Sequence, residues 1–196
     1  VVFSPDSRKA YVADWGANKI MELGIDGAHV ARTGRDVATG ISPYGATITP
    51  DGDWLINTNV GGALDKKTSG TLTMIDLKTG KLALNLEVGK VPEHVALSPD
   101  GRHAALVLAN GAATVKSDPK YDGLVGIIRI YAVGPGTLTP VAQADSCHWA
   151  QGLAWSDDGK LVLQQCAAER AIQVFRFDGS SLKRDDSATL TFVSRP

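Results

Sequence analysis

One turn sequence returns four times along this chain, and it restricts the fold more than any other feature. Ser4-Pro5-Asp6-Ser7, Thr49-Pro50-Asp51-Gly52, Ser98-Pro99-Asp100-Gly101 and Ser156-Asp157-Asp158-Gly159 recur at intervals of 45, 49 and 58 residues. A short apolar stretch leads into each copy and another leaves it, as with Val95, Ala96 and Leu97 before the third and Ala104 to Leu108 after it. Proline fixes φ, aspartate bonds to its own backbone and glycine accepts positive φ, so each tetrapeptide reads as the turn of a hairpin.

A third strand follows in every copy, with alternating or near-alternating apolar residues: 19–23, 72–76, 127–131 and 172–177. A weaker fourth is visible at 81–86 and 188–192. No helical cap followed by an apolar stripe of period 3.6 occurs, and β-branched residues dominate the apolar positions. Four antiparallel strands per unit of about 40 to 50 residues describe a β-propeller blade. A β-sandwich also has short, regular strands, but it does not need one turn sequence at every fourth strand. The expectation is an all-β chain of four consecutive four-stranded antiparallel blades, near residues 1–38, 39–88, 89–146 and 147–196.

Composition agrees with a globular chain. Hydrophobic residues make up 43% and charged residues 21% of 196, enough to bury a core. A net charge of −1 gives no electrostatic case for nucleic acid or an anionic membrane surface. No run of 18 apolar residues is present to span a bilayer, and no leader pattern stands at the start, where the first residue is Val1 rather than Met.

Several blocks resemble the YVTN-repeat propellers: the stretch from Tyr11 to Ile20, the block from Val91 to Gly101, and Ile41-Ser42-Pro43-Tyr44-Gly45-Ala46. The last two are similar also to blade openings of lactonase-type propellers related to 6-phosphogluconolactonase and carboxymuconate cyclase. The resemblance implies a ring of seven blades, about 340 residues at this spacing, of which this chain would supply four. Three arrangements follow: a fragment of a larger propeller, a part-chain that assembles with other copies, or a closed four-bladed ring. The resemblance also implies export to the periplasm or beyond, the cytoplasm being the alternative. It does not choose among the hydrolases, cyclases, electron-transfer subunits and binding proteins built on this fold.

Blade topology sorts the loops by face. The repeated turns lie on one side. The loops between second and third strands, and the crossovers between blades, lie on the other, around the mouth of the central channel. Two of those loops are insertions, 59–70 with Asn59, Asp65, Lys66 and Lys67, and 110–123 with Lys116, Asp118, Lys120, Tyr121 and Asp122. Long insertions on a repeat scaffold are candidate binding loops, or merely solvated charge. The crossovers add Tyr44, Glu93, His94, His148, Trp149 and Gln151, with Trp15 and Trp149 suited to ligand stacking.

His94 and His148 fall four and eight residues before their serines, in nearly corresponding places. Imidazoles there suit a general base, with Glu93 or another carboxylate activating water, a metal ligand, a donor to an anion, or a plain bond to a neighbouring blade's backbone. Cys147 and Cys166 lack metal-ligand spacing. Pairing Trp155 with Leu161 leaves them three residues out of register, about 10 Å along straight strands. A disulfide needs Cα atoms within about 7 Å, so a bridge requires a bend at Cys147; two buried thiols are the alternative.

Nucleotide, haem, zinc-protease, nucleophile-elbow and EF-hand motifs are all absent, and no cofactor or metal is expected. The sequence leaves open whether the chain is an enzyme. Its leading reading is a domain that binds a protein partner or small ligand at the channel-mouth face, with Tyr44, Asn59, Lys66, Lys67, Lys116, Asp118, Trp149 and Gln151 as contacts. Self-association, or completion by the remaining blades of the ring, is a further expected partnership. A lactonase-like hydrolase using His94 or His148 is the other reading.

Overall fold

The computed structural model describes residues 1–62, 69–114, 116–119 and 121–192. Four antiparallel sheets follow one another along the chain. The first is ordered β1 (Val2–Phe3), β2 (Lys9–Asp14), β3 (Lys19–Asp26), β4 (His29–Arg32), and β5 (Val37–Ala38) also pairs with β3. The second is β6 (Pro43–Ile48), β7 (Trp54–Asn59), β8 (Gly70–Asp76), β9 (Lys81–Gly89). The third is β10 (Pro92–Leu97), β11 (His103–Leu108), β12 (Ile127–Gly134), β13 (Thr137–Asp145). The fourth is β14 (Ala150–Trp155), β15 (Leu161–Cys166), β16 (Ala171–Phe177), β17 (Leu182–Arg184), with β18 (Leu190–Thr191) also on β16. Each is an up-and-down meander, so the chain is all-β and built of consecutive propeller blades.

The repeated tetrapeptide folds identically each time. The first residue's hydroxyl donates to the carboxylate two residues on, at 2.5–2.6 Å, and accepts the N–H of the residue five on, at 2.9–3.0 Å. The fourth residue takes positive φ: Gly52, Gly101 and Gly159 at 76°, 70° and 69°, but Ser7 at 58°. These side-chain bonds hold Asp6, Asp51, Asp100 and Asp158 below the usual carboxylate range. The aspartates are therefore committed to turns.

The chain packs as two compact units, Val1–Val95 with the Gly134–Thr137 turn, and Ala96–Val133 with the chain from Leu138 onward. In the first, Tyr11, Ile20, Leu55 and Ile75 form a buried cluster. Glu22 is buried beside it (3% exposed), bonded by Lys9 Nζ at 3.1 Å, Tyr11 Oη at 3.3 Å and Thr33 Oγ1 at 3.0 Å. In the second, Ala105, Val107, Ile128 and Ile130 pack against Val162, Phe175 and Phe177, and Trp155 Nε1 donates to Ala96 O at 3.1 Å. Truncating Phe175 to alanine there removes a fully buried ring at a cost of about 3–5 kcal/mol.

Two expectations about strands are corrected. Trp155 pairs with Val162 rather than Leu161, because the turn already sets Ser156 against Leu161, its N–H donating to Leu161 O at 3.0 Å; the ladder then shifts further along, between Leu153 and Ala150. The last blade's outer strand is β17 plus the short β18, not a continuous 188–192. Asp185 caps a 3₁₀ turn at Asp186–Ala188, accepting the Ser187 N–H at 3.1 Å, and the chain rejoins β16 only at Leu190.

Candidate functional site

In the second unit, three loops meet around His148. The chain leaving β13 runs against the start of β12, where Gly126 donates to Cys147 O (3.0 Å) and accepts from Ser146 N–H (2.8 Å). A Cβ at Gly126 would lie 2.7 Å from that carbonyl, so only glycine permits the approach. The chain then turns at His148 and Trp149. Trp149 takes φ of 50°, its N–H donates to Ala112 O (2.8 Å), and its carbonyl accepts from Ala167 N–H (3.2 Å). This turn is the bend that a Cys147–Cys166 bridge requires. The two are disulfide-bonded with Cα atoms 5.6 Å apart, because Ala150, not Cys147, sits opposite Cys166 and the chain doubles back before it.

His148 is buried (8% exposed) among residues from both neighbouring loops. Its Nδ1 lies 2.6 Å from Glu169 Oε1, its backbone N–H donates to the same oxygen at 3.0 Å, and Tyr121 Oη donates there at 3.1 Å. Its Nε2 faces the Tyr121 carbonyl oxygen within hydrogen-bond distance, and the Tyr121 ring stacks on the imidazole at 3.6 Å between centroids. Glu169 Oε2 is buried without a partner among the described residues. Burial alone would raise the Glu169 pKa, but the bonds from His148 and Tyr121 outweigh it and hold the carboxyl below its usual range. Burial, then the Glu169 carboxylate, push the Tyr121 hydroxyl up.

A carboxylate and a carbonyl both only accept, so any lone pair left on the imidazole points at one of them. None is directed outward to take a proton. The cluster therefore ties three loops together. Beside it opens a cavity of about 590 Å³, whose lining includes Lys116, Ser117, Trp149, Glu169 and Arg170. Trp149 and Arg170 both hold positive φ, at 50° and 53°, a conformation costing roughly 1–2 kcal/mol for residues with a Cβ. Asp118 contributes its carbonyl to the Tyr121 N–H at 2.9 Å, and Gln151 is half-buried at the start of β14. Cys147, Cys166 and Glu169 are the one grouping of three potential metal ligands among the described residues, and its two sulfurs are bonded to each other.

The first unit holds the other expected residues. Asn59 was expected to touch a ligand; it is instead fully buried, its Nδ2 donating to Thr71 Oγ1 (2.9 Å) and Thr73 Oγ1 (2.7 Å) and its Oδ1 accepting from Asn57 (2.8 Å). Both ends of its amide are spent in the interior. Tyr44 is 54% exposed and meets Trp15 (47% exposed) edge to face at 5.9 Å. Glu93 and His94 are half-buried on β10, with no side-chain hydrogen bond or ion pair among the described residues. Burial pushes the Glu93 carboxyl up and the His94 imidazole down, favouring the neutral form of each. His94 and His148 do not correspond: His94 is two residues inside its strand from Pro92, His148 two residues before Ala150 where β14 begins. Lys66 and Lys67 lie outside the described residues, as do Asp65 and Lys120.

Sequence reasoning passed over Glu169, Ser117 and Arg170. Glu169 and Arg170 lie in the short loop between β15 and β16, the counterpart of the two insertions, and that position was the available signal.

No known family profile matches the sequence, and no curated protein sequence does. Solved structures match well. A candidate 6-phosphogluconolactonase of Bacteroides uniformis superposes with a TM-score of 0.77 at 19% identity, over 97% of this chain and 53% of its own. Another, of Bacteroides fragilis, gives 0.73 at 17%, over 97% and 54%. The Cps50 (Swd1) β-propeller domain of Myceliophteria thermophila gives 0.64 at 14%, over 94% and 55%. The likeness is one of fold. The chain spans about half the length of these structures.

Proposed function

We propose that the chain is a binding domain that engages a small ligand or protein partner through the loops between second and third strands and between blades. The observation that carries this reading is His148: both ring nitrogens face acceptors and its ring is stacked on Tyr121, so it serves as a strut for the loops rather than a base. The open cavity beside it in the second unit and, separately, the exposed pair of Trp15 and Tyr44 at the β2–β3 loop and the start of β6 in the first each offer recognition surface. The four blades belong to a larger propeller, a reading supported by solved relatives about twice as long. The remaining blades come from further chain or from other copies, and the mass in solution distinguishes these. A disulfide suits an oxidising compartment, which supports a periplasmic or secreted setting.

A second reading, a lactonase-like hydrolase, draws on His94. Its imidazole is kept neutral by burial and has no bond partner among the described residues, as a general base requires. A panel of lactones separates the two readings. The binding reading expects no saturable hydrolysis. A lactone turned over at a rate that His94→Ala abolishes would overturn it.

A further inference from the structure

Resting on the binding reading, we propose that the cavity beside Trp149 is a site for a small organic anion carrying a planar ring. The class follows from what the lining offers. Lys116 and Arg170, both exposed, reach the lining from two separate loops, one after β11 and one before β16. Ser117 adds a hydroxyl to the same lining. Trp149, 40% exposed, presents an indole surface to the same space. Two cations and a hydroxyl recognise a carboxylate or phosphate group, and an indole face takes a flat ring.

The acid in the lining does not oppose this. Glu169 Oε1 already accepts three donors and its Oε2 is shut away from solvent, so both carboxylate oxygens are turned into the wall. The volume, about 590 Å³, suits a ligand of drug or nucleotide size. The walls are set before any ligand arrives. The disulfide fixes the bases of both Trp149 and the Ala167–Arg170 loop, and His148 braces the Tyr121 loop against Glu169. Positive φ at Trp149 and Arg170 turns the backbone at the two rims, as it does at the equivalent Ser42 and Val91 before β6 and β10 and at Asn18 before β3, so the repeat itself sets these turns.

Calorimetry and tryptophan fluorescence with adenosine monophosphate, benzoate and inorganic phosphate test this on the intact chain. The expected result is saturable binding of adenosine monophosphate or benzoate with quenching of Trp149, and phosphate at least tenfold weaker. The ratio of the first two identifies whether phosphate or carboxylate is preferred. Lys116→Ala and Trp149→Asn each weaken binding about tenfold, the ring contributing by stacking; asparagine is chosen because it tolerates positive φ. Unchanged circular dichroism of both variants keeps the comparison valid. Binding insensitive to both substitutions but lost in Trp15→Ala overturns this site while leaving the binding reading intact. No binding of any probe at millimolar concentration overturns the site.

Discussion

Breaking the Cys147–Cys166 bond unfolds the second unit at lower denaturant, and the size of the effect follows from the loop it closes. The bonded residues are 19 apart in sequence. In the chain-entropy treatment, removing a cross-link of that span returns roughly 11 cal/mol/K to the unfolded chain, about 3 kcal/mol at 25 °C. With a urea m-value of about 2 kcal/mol/M, the midpoint falls by about 1.5 M. Wild-type protein with and without dithiothreitol, and the Cys147→Ala/Cys166→Ala variant, are followed by tryptophan fluorescence. Both cysteines lie in the second unit, so its reporters Trp149 and Trp155 shift while Trp15 and Trp54 in the first do not. Single-tryptophan versions separate the two signals. Hydrogen exchange adds a local readout, because Ala167 N–H donates to Trp149 O directly beside the bridge and loses protection on reduction. A midpoint shift below about 0.3 M, or two thiols titrated in the unreduced unfolded protein, refutes the reasoning.

Other outcomes follow from single residues. Ser7→Gly raises stability by about 0.5–1 kcal/mol in urea melts, since Ser7 holds the positive φ that glycine takes in the other three turns. Gln164→Met raises it by about 1–2 kcal/mol, because both amide atoms of that fully buried side chain lack partners among the described residues. Tyr11 titrates at about 12 rather than 10, through burial and then the Glu22 carboxylate. The stability it contributes is whole below pH 10 and disappears as pH rises through 12; ultraviolet titration of Tyr11→Phe against wild type reads the missing step. Glu169→Gln costs about 1.5–3 kcal/mol at pH 7, the worth of a bond to a charged acceptor. The folded Glu169 carboxyl sits below its unfolded value, so its contribution is present above that unfolded value and lost as pH falls through the folded one. Acid melts of the variant therefore lack that component.

The turns made the fold legible, because their chemistry is local. Ser4 and Asp6, or Ser98 and Asp100, bond to one another and to nitrogens within five residues, so the same four letters dictate the same geometry each time. The site was only half legible. His148 and Trp149 stand out as unusual residues in a crossover, but what His148 does is decided by Tyr121 and Glu169, 27 and 21 residues away. Asn59 misled for the converse reason: a polar residue at the edge of an insertion looks like surface, while partners on β8 make it interior.

Comparing equivalent strand positions shows why such errors concentrate in the middle of a blade. Asn57 on β7 pairs across to Thr73, and Gln164 on β15 pairs across to Gln173. In the second sheet Thr73 Oγ1 donates to Asn57 Oδ1 at 2.7 Å and the polar pair is satisfied. In the fourth, neither end of the Gln164 amide finds a partner among the described residues, and Gln173 Oε1 is also left bare. One step toward the loops, the position of Asn59 becomes Cys166, and a hydrogen-bonded knot is exchanged for the disulfide beneath Trp149. The repeat thus fixes where strands start and turn, while each blade solves its own interior with different chemistry. Recognition residues grow out of that second, unrepeated layer, so the blade whose interior departs furthest from its neighbours is where a binding site is best sought.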